Sequence, residues 1–172
     1  MIEPNVHIIA ALAVLSRIAD VWTTYQVTPT LKLEANPLVS RFGWRFALLT
    51  IVAGALPYYS PPLGVVIFTM SFIVAAFNAS KIVTAKAIGE EEMAALSHRV
   101  ILATPPWPGL LFLLMPGIFI GVVGSCLLFF YPDRSQWGYY FALGMLAYAL
   151  AVFVWYPSHY FRIRANIRKA SS

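Results

Sequence analysis

Residues 17–37 read RIADVWTTYQVTPTLKLEANP. They combine two opposite charges inside an apolar run with the polar segment that follows this run. The run itself, Val6–Val27, is long enough to cross a membrane, yet it contains Arg17 and Asp20. After it the chain presents a second carboxylate, Glu34, shortly before an Asn-Pro pair. Because charged side chains inside a hydrophobic span are rare and mark functional sites, we expect the unusual chemistry of this chain here.

The composition is that of a membrane protein. Of the 172 residues, 60% are hydrophobic and only 11% are charged, whereas a soluble domain carries about 25% charged residues. Apolar runs of about 20 residues alternate with short polar connections, which is typical of a polytopic helical protein. We therefore predict an all-α fold forming a single integral membrane domain over residues 1–172.

The pattern of apolar runs predicts five transmembrane helices. Their approximate ranges are 6–27, 44–59, 63–83, 109–131 and 137–156. The second range is short for a crossing, and a re-entrant segment is the alternative. Between the third and fourth spans, Gly89 is followed by three glutamates and an apolar stripe, which predicts a short interfacial helix on the membrane surface.

The distribution of Lys and Arg predicts the orientation. With the N-terminus outside, the outer segments contain only Arg134, and ten basic residues fall on the inner side. These ten are Lys32, Arg41, Arg45, Lys81, Lys86, Arg99, Arg162, Arg164, Arg168 and Lys169. The positive-inside rule thus places the N-terminus outside and the C-terminus in the cytoplasm, and it favours a true crossing for the second span.

The net charge of +5 would suggest nucleic acid as the partner of a soluble protein. Here the basic residues flank the spans, so we expect no nucleic acid and instead expect the lipid bilayer as the partner. The basic C-terminal tail, residues 159–172, should contact anionic lipids. A second membrane protein or a homo-oligomer is a further expected partner.

Polar residues of the first span fall on one helix face. Ser16, Asp20 and Thr24 are four residues apart, and Arg17 lies beside them. Counting about 1.5 Å per residue from Val6 places Arg17 about 16 Å into the hydrocarbon, near the midplane. Since lipid cannot satisfy these groups, the face must point into the bundle or into a wet cavity.

The predicted orientation brings further polar residues to the cytoplasmic side of the same bundle. The candidate ligand-binding residues are Arg17, Asp20, Thr24, Glu34, Asn36, Asn78 and His159. No metal site is predicted, and the sequence does not identify a cofactor. Asp20 and Glu34 become candidate metal ligands only if the protein is an enzyme. The purely structural alternative is that Arg17 and Asp20 neutralise each other and that Asn36 ends a turn. Glu34 would then cap a helix or pair with Arg41 or Arg45.

The pattern DxxTT at residues 20–24, followed by ExNPL at residues 34–38, resembles a known family. It is similar to small bacterial multi-span membrane proteins grouped as a domain of unknown function, over about the first fifth of the chain. The resemblance implies a multi-pass protein of the bacterial inner membrane. It points to four residues of the pattern, but it implies no activity. These residues are Asp20, Thr24, Glu34 and Asn36.

The sequence leaves three classes of function open. The leading interpretation is a non-enzymatic integral membrane protein, an accessory or ligand-binding subunit with a polar site in the cytoplasmic half of the bundle. The first alternative is a membrane-embedded enzyme that acts on a lipid or polyprenyl substrate through Asp20 and Glu34. The second is a small transporter or channel that conducts through the region of Arg17 and Asp20.

Overall fold

The computed structural model describes the backbone of residues 5–170 and the side chains of residues 5–165. Over this range the chain is helical and contains no β-strand, as the all-α prediction requires. The helices are α1 (Val6–Val27), α2 (Pro37–Phe42), α3 (Trp44–Leu49), a 3₁₀ helix (Thr50–Tyr58), α4 (Pro61–Ala103), α5 (Pro106–Phe130) and α6 (Trp137–Ala170). In this part of the chain, α1, α4, α5 and α6 are long and apolar enough to cross a membrane.

Helix α1 begins and ends where the sequence predicts. The Asn5 side chain caps its first turn by accepting a hydrogen bond from the backbone N–H of His7 at 2.9 Å. At the other end the Thr28 N–H still bonds to Thr24, and Pro29 then follows, which cannot donate a further helical bond. The chain turns immediately afterwards, with Leu31 in the left-handed region at φ 62°.

The predicted second span is built from two kinds of helix. Residues 44–49 are α-helical, and residues 50–58 form a 3₁₀ helix. A 3₁₀ helix rises about 2.0 Å per residue instead of 1.5 Å, so the whole segment reaches about 26 Å rather than about 21 Å. Its unusual geometry therefore lengthens a segment that is short in residues.

This segment lies antiparallel to α1 along nearly the full length of that helix. At one end the rings of His7 and Tyr58 are 5.5 Å apart, and at the other the rings of Tyr25 and Trp44 are 5.3 Å apart. Between them the 3₁₀ helix approaches α1 closely at Gly54, where an added Cβ would lie 2.4 Å from Val14 Cγ2. The two elements thus cover the same depth of the bundle.

Helix α4 joins the predicted third span to the predicted interfacial helix. It is continuous from Pro61 to Ala103 except at Gly89, which has φ 82° and ψ 158°. Glycine adopts this backbone conformation without the steric cost that a side chain would add. We call residues 90–103, beyond the break, the distal segment.

Helices α5 and α6 pack against each other through small residues. A Cβ added to Gly117 would lie 2.8 Å from Val152 Cγ1, and one added to Gly124 would lie 3.0 Å from Met145 Cβ. Such close approach gives dispersion contacts that stabilise helix pairs in lipid. The small-residue face of α5 is therefore occupied within the chain.

Helix α6 continues well beyond the predicted end of the last span at residue 156, through Pro157 to Ala170. Its extension fastens the turn between α4 and α5. Tyr160, which is fully buried, donates a hydrogen bond to the Pro106 carbonyl at 3.0 Å. The Arg164 guanidinium donates to the carbonyls of Ile101, at 2.6 Å, and Thr104.

The predicted lipid-contacting tail therefore begins as part of this folded extension. Its members Arg168 and Lys169 lie outside the residues whose side chains the structure describes, and residues 171–172 lie outside the described backbone.

Candidate functional site

The charges of the first span form a buried ion pair. Arg17 Nη1 lies 2.5 Å from Asp20 Oδ2, one helical turn away on α1. Asp20 is only 7% exposed, so its carboxylate is removed from solvent and from lipid. The predicted polar face thus points into the bundle, as the cost of exposing a charge to hydrocarbon requires.

Arg17 also ties α1 to two other elements. Its Nη2 donates to Thr50 Oγ1 at the start of the 3₁₀ helix, and its Nη1 donates to Ser71 Oγ on α4 at 3.3 Å. The Thr50 hydroxyl in turn donates a hydrogen bond to the Ala47 carbonyl at 2.5 Å. One guanidinium therefore holds three helical elements together, which suits its planar set of donors.

Asp20 is linked on its other side to α4. Thr24 Oγ1 donates a long hydrogen bond of 3.5 Å to Asp20 Oδ1 and accepts one of 2.8 Å from Asn78 Nδ2. Four of the predicted site residues are thus brought together. We call the connected side chains the intramembrane network; they are Arg17, Asp20, Thr24, Thr50, Ser71 and Asn78.

Glu34 lies beside this network, in the loop after α1. Its carboxylate lies close enough to the Asp20 carboxylate, the Lys81 amine and the Tyr156 hydroxyl to interact with them electrostatically. No ion pair within 4 Å joins Glu34 to Lys81 in the described part of the chain. The two opposite charges are therefore neighbours without direct contact.

Burial sets the electrostatics of Glu34. It raises the pKa of this carboxyl above its ordinary value, and the backbone N–H groups of Asn36 and Ala35 and the charge of Lys81 oppose the rise. The hydrogen bond from the Asn36 N–H to Glu34 Oε1 measures 2.7 Å. Neither Arg41 nor Arg45 pairs with Glu34 in the described chain, although the sequence allowed such a pair.

Asn36 has a local structural contact. Its side chain caps α2 by accepting a hydrogen bond from the Leu38 N–H at 2.9 Å, and Pro37 occupies the first turn. The backbone N–H of the same residue binds Glu34, so Asn36 orders the loop and the next helix together.

His159 lies apart from the network. Its Nδ1 is 3.2 Å from Arg162 Nη2 on the same helix, and its charge interacts with those of Arg162 and His98. None of the hydrogen bonds of the described residues joins it to Asp20, Glu34 or Asn78. The structure thus does not bring His159 together with the other predicted residues.

Sequence reasoning missed the role of Glu90. Its carboxylate accepts hydrogen bonds from the backbone N–H groups of Thr30 and Lys32, both at 2.9 Å, and from the hydroxyls of Thr28 and Thr30. The sequence indicated only a favourable interaction of acids with the start of a helix. Since about sixty residues separate the partners, no local pattern could have revealed the contact.

The spacing of donor side chains in the described residues decides whether the site could hold a metal ion. Within the described residues, no three His, Cys, Asp or Glu side chains lie close enough to hold a metal ion. Asp20 and Glu34 therefore lack a third protein donor of this kind. A groove of about 530 Å³ lies elsewhere, between α5 and α6, and apolar side chains such as Ile118, Leu146 and Phe153 line it.

No protein-family model, curated protein or solved structure matches this chain. The resemblance of residues 20–38 to a domain of unknown function therefore stays a prediction, and the geometry of the site carries the functional argument.

Proposed function

We propose that the protein is a non-enzymatic membrane protein, an accessory or ligand-binding subunit with its site in the cytoplasmic half of the bundle. One observation carries this proposal: Glu34 and Lys81 are half-buried neighbours of opposite charge that do not form a direct ion pair in the described part of the chain. A small polar molecule or a lipid head group with both a cationic and an anionic or acceptor group would satisfy both side chains.

The hydrogen bonds of Arg17 and Asp20 support a binding role for Glu34 and Lys81 rather than for the Arg17–Asp20 ion pair. Arg17 is hydrogen-bonded to Asp20, Thr50 and Ser71, and Asp20 is further bonded to Thr24. These groups therefore stabilise the bundle, and a proton or ion passing through them would have to break the contacts among three elements. The transport and enzyme alternatives gain no comparable support.

The proposal includes five membrane crossings with the N-terminus outside. The segment Trp44–Tyr58 runs beside α1 from one end to the other, and its 3₁₀ geometry lengthens it to about 26 Å, near the ~30 Å of the hydrocarbon core. The strong excess of basic residues on the inner side sets the orientation.

We further assign the protein to the bacterial inner membrane. The distal segment then lies at the cytoplasmic interface as the short interfacial helix, and the basic end of α6 lies near anionic lipid head groups. A second membrane protein or another copy of the chain would be the partner of an accessory subunit.

Native mass spectrometry of the gently extracted protein tests the site. We expect the unmodified chain to retain one small ligand or one lipid species, and we expect both Glu34→Gln and Lys81→Met to lose it. Glu92→Gln is the matched control because Glu92 pairs only with Arg99 at the surface, at 2.5 Å, and should retain the ligand.

Two results would overturn the binding role. One is that the unmodified protein carries neither a ligand nor a partner subunit. The other is that Glu34→Gln retains the same ligand as the unmodified protein. A stoichiometric partner chain that remains attached in all variants would support the accessory role and remove the need for a ligand at Glu34.

A further inference from the structure

The loop between α1 and α2, residues 28–36, is fastened to the distal segment mainly by one carboxylate, that of Glu90. Glu90 Oε2 accepts the N–H of Thr30 at 2.9 Å and its hydroxyl at 2.9 Å. Glu90 Oε1 accepts the N–H of Lys32 at 2.9 Å and the hydroxyl of Thr28. A carboxylate has about four lone-pair sites, so the loop uses essentially the whole accepting capacity of Glu90.

The backbone of the loop is shaped for an anion. Leu31 has φ 62°, which turns the neighbouring N–H groups of Thr30 and Lys32 toward one point. Such concave arrangements of backbone N–H groups bind anions, and here the anion belongs to the same chain. Thr28, the residue that follows α1, is only 3% exposed, and its hydroxyl also accepts the N–H of Leu33 at 3.1 Å.

Two weaker contacts assist Glu90. The Lys32 amine lies 2.6 Å from Glu91, but both side chains are exposed, and exposed ion pairs contribute little. Trp44 Nε1 donates to the Pro29 carbonyl at 2.8 Å. The charge-assisted hydrogen bonds to Glu90 are therefore the main attachment of the loop to α4.

The same loop carries Glu34 over the cytoplasmic edge of the intramembrane network. Residues 33–36 are all half-buried, and Glu34 interacts there with Asp20 and Lys81. Glu90 directly follows Gly89, the break in α4, where an added Cβ would meet nothing within 4 Å. Glu90 is therefore the first residue of the distal segment, and its carboxylate meets the loop directly after the break.

We propose that residues 28–36 form a lid over the site of Glu34 and Lys81, and that Glu90 is the latch that holds this lid shut. Opening of the latch exposes the site to the cytoplasm, and closing buries it. The access role depends on the proposed ligand site, whereas the latch itself depends only on the contacts of Glu90.

Hydrogen–deuterium exchange of the full chain in nanodiscs tests the latch. In Glu90→Gln the amides of Thr30 and Lys32 lose a charged acceptor, and we expect their exchange to become at least about tenfold faster. Glu92→Gln removes an equal charge two residues after Glu90, from a side chain that pairs with Arg99 and not with the loop, and it should leave these amides unchanged. Unchanged exchange of Thr30 and Lys32 in a folded Glu90→Gln protein would overturn the latch.

A second variant covers the case in which Glu90→Gln does not fold. Thr30→Val removes one hydroxyl contact from an exposed position of the loop, and the rest of the bundle is untouched. We expect a smaller but measurable acceleration at the Lys32 amide. An amide that exchanges at the unmodified rate in this variant would contradict a cooperative latch.

Labelling of a cysteine in the lid tests access. In a Cys126→Ser background, Ala35→Cys should react faster with a water-soluble maleimide when Glu90→Gln is also present. Faster exchange and labelling without any ligand in native mass spectrometry would keep the latch and refute the proposed binding function. A retained ligand with unchanged exchange and labelling would refute the latch alone.

Discussion

Arg17 and Asp20 are charged side chains near the middle of a hydrophobic helix, and their contacts explain why the fold tolerates them. Removing each charge from water costs about 2.5–3.5 kcal/mol on insertion scales. The pair offsets this cost through a direct 2.5 Å contact and through hydrogen bonds to Ser71, Thr50 and Thr24. The same contacts connect α1 to α4 and to the 3₁₀ helix.

Asp20→Asn should therefore destabilise the protein by about 3–5 kcal/mol, because it leaves the Arg17 charge buried without its partner. The double variant Arg17→Met/Asp20→Leu should lose less, since no unpaired charge remains. Unfolding free energies in detergent micelles, measured as a double-mutant cycle, check this. Equal stability of Asp20→Asn and the unmodified protein would show that the ion pair is dispensable.

Glu34 should make stability depend on pH. Burial raises the pKa of its carboxyl in the folded protein above the ordinary value of 4.5, so the folded state holds the proton more tightly than the unfolded state. The folded state then binds more protons between these two values, and stability falls as pH rises from 4.5 through the folded pKa.

Thermal unfolding of the unmodified protein and Glu34→Gln across this pH range measures the effect. As pH rises, the unmodified protein should lose stability relative to Glu34→Gln, because the Gln side chain cannot ionise. A constant difference would show that the pKa of Glu34 is the same in both states.

Individual residues differ in how far the sequence could predict them. Asp20 and Thr24 are visible because polar residues at helical spacing stand out in an apolar run. Thr50 and Ser71 are not, because single hydroxyls are common in spans and satisfy themselves on their own backbone. Their bonds to Arg17 join residues 33 and 54 positions apart, and only the folded chain brings them together.

The 3₁₀ helix Thr50–Tyr58 is the element that the sequence did not predict. Its range was identified as a short apolar segment, but the helical type depends on tertiary contacts. Thr50 bonds to Arg17, and Gly54 and Pro57 lie buried against α1 and α4. Since 3₁₀ runs of this length are uncommon, packing rather than intrinsic preference must hold the geometry.

Gly54→Ala should thus destabilise the bundle. Alanine normally stabilises a helix relative to glycine by about 0.5–1 kcal/mol. Here its Cβ would lie 2.4 Å from Val14 Cγ2 and 3.0 Å from Val14 Cα, and the backbone atom cannot move aside cheaply. We expect a net loss of about 1–3 kcal/mol from overpacking.

The matched control is Ala55→Val at the next position, which is exposed on the outer surface of the same helix. Its effect on the unfolding free energy should stay within about 0.5 kcal/mol. If Gly54→Ala is as stable as the control, the close packing of the 3₁₀ helix on α1 does not occur in the membrane.

The molecule as a whole is a helical bundle in which α4 is the central element, since it contacts α1, the 3₁₀ helix and α6. Hydrophobic length and the placement of charges predict the helices, because these properties depend on local sequence. They do not predict that the proposed third span and the proposed interfacial helix form one element through Gly89, or that α6 continues past residue 156. Those features depend on contacts of Glu90, Tyr160 and Arg164 with distant residues.

The proposed five-crossing topology makes a testable prediction for the whole chain. In a Cys126→Ser background, Tyr59→Cys and Ser135→Cys should react with a membrane-impermeant maleimide in intact cells, and Ser40→Cys should react only after lysis. Tyr59 is 89% exposed and lies between the second and third spans, so its side depends on whether Trp44–Tyr58 crosses. If that segment did not cross, Tyr59 and Ser135 would both lie on the same side as Ser40, because one fewer crossing moves every later connection to the opposite side. The same labelling state for all three cysteines in intact cells would therefore refute five crossings. Labelling of Tyr59→Cys and Ser135→Cys with protection of Ser40→Cys would establish that the 3₁₀ segment spans the bilayer.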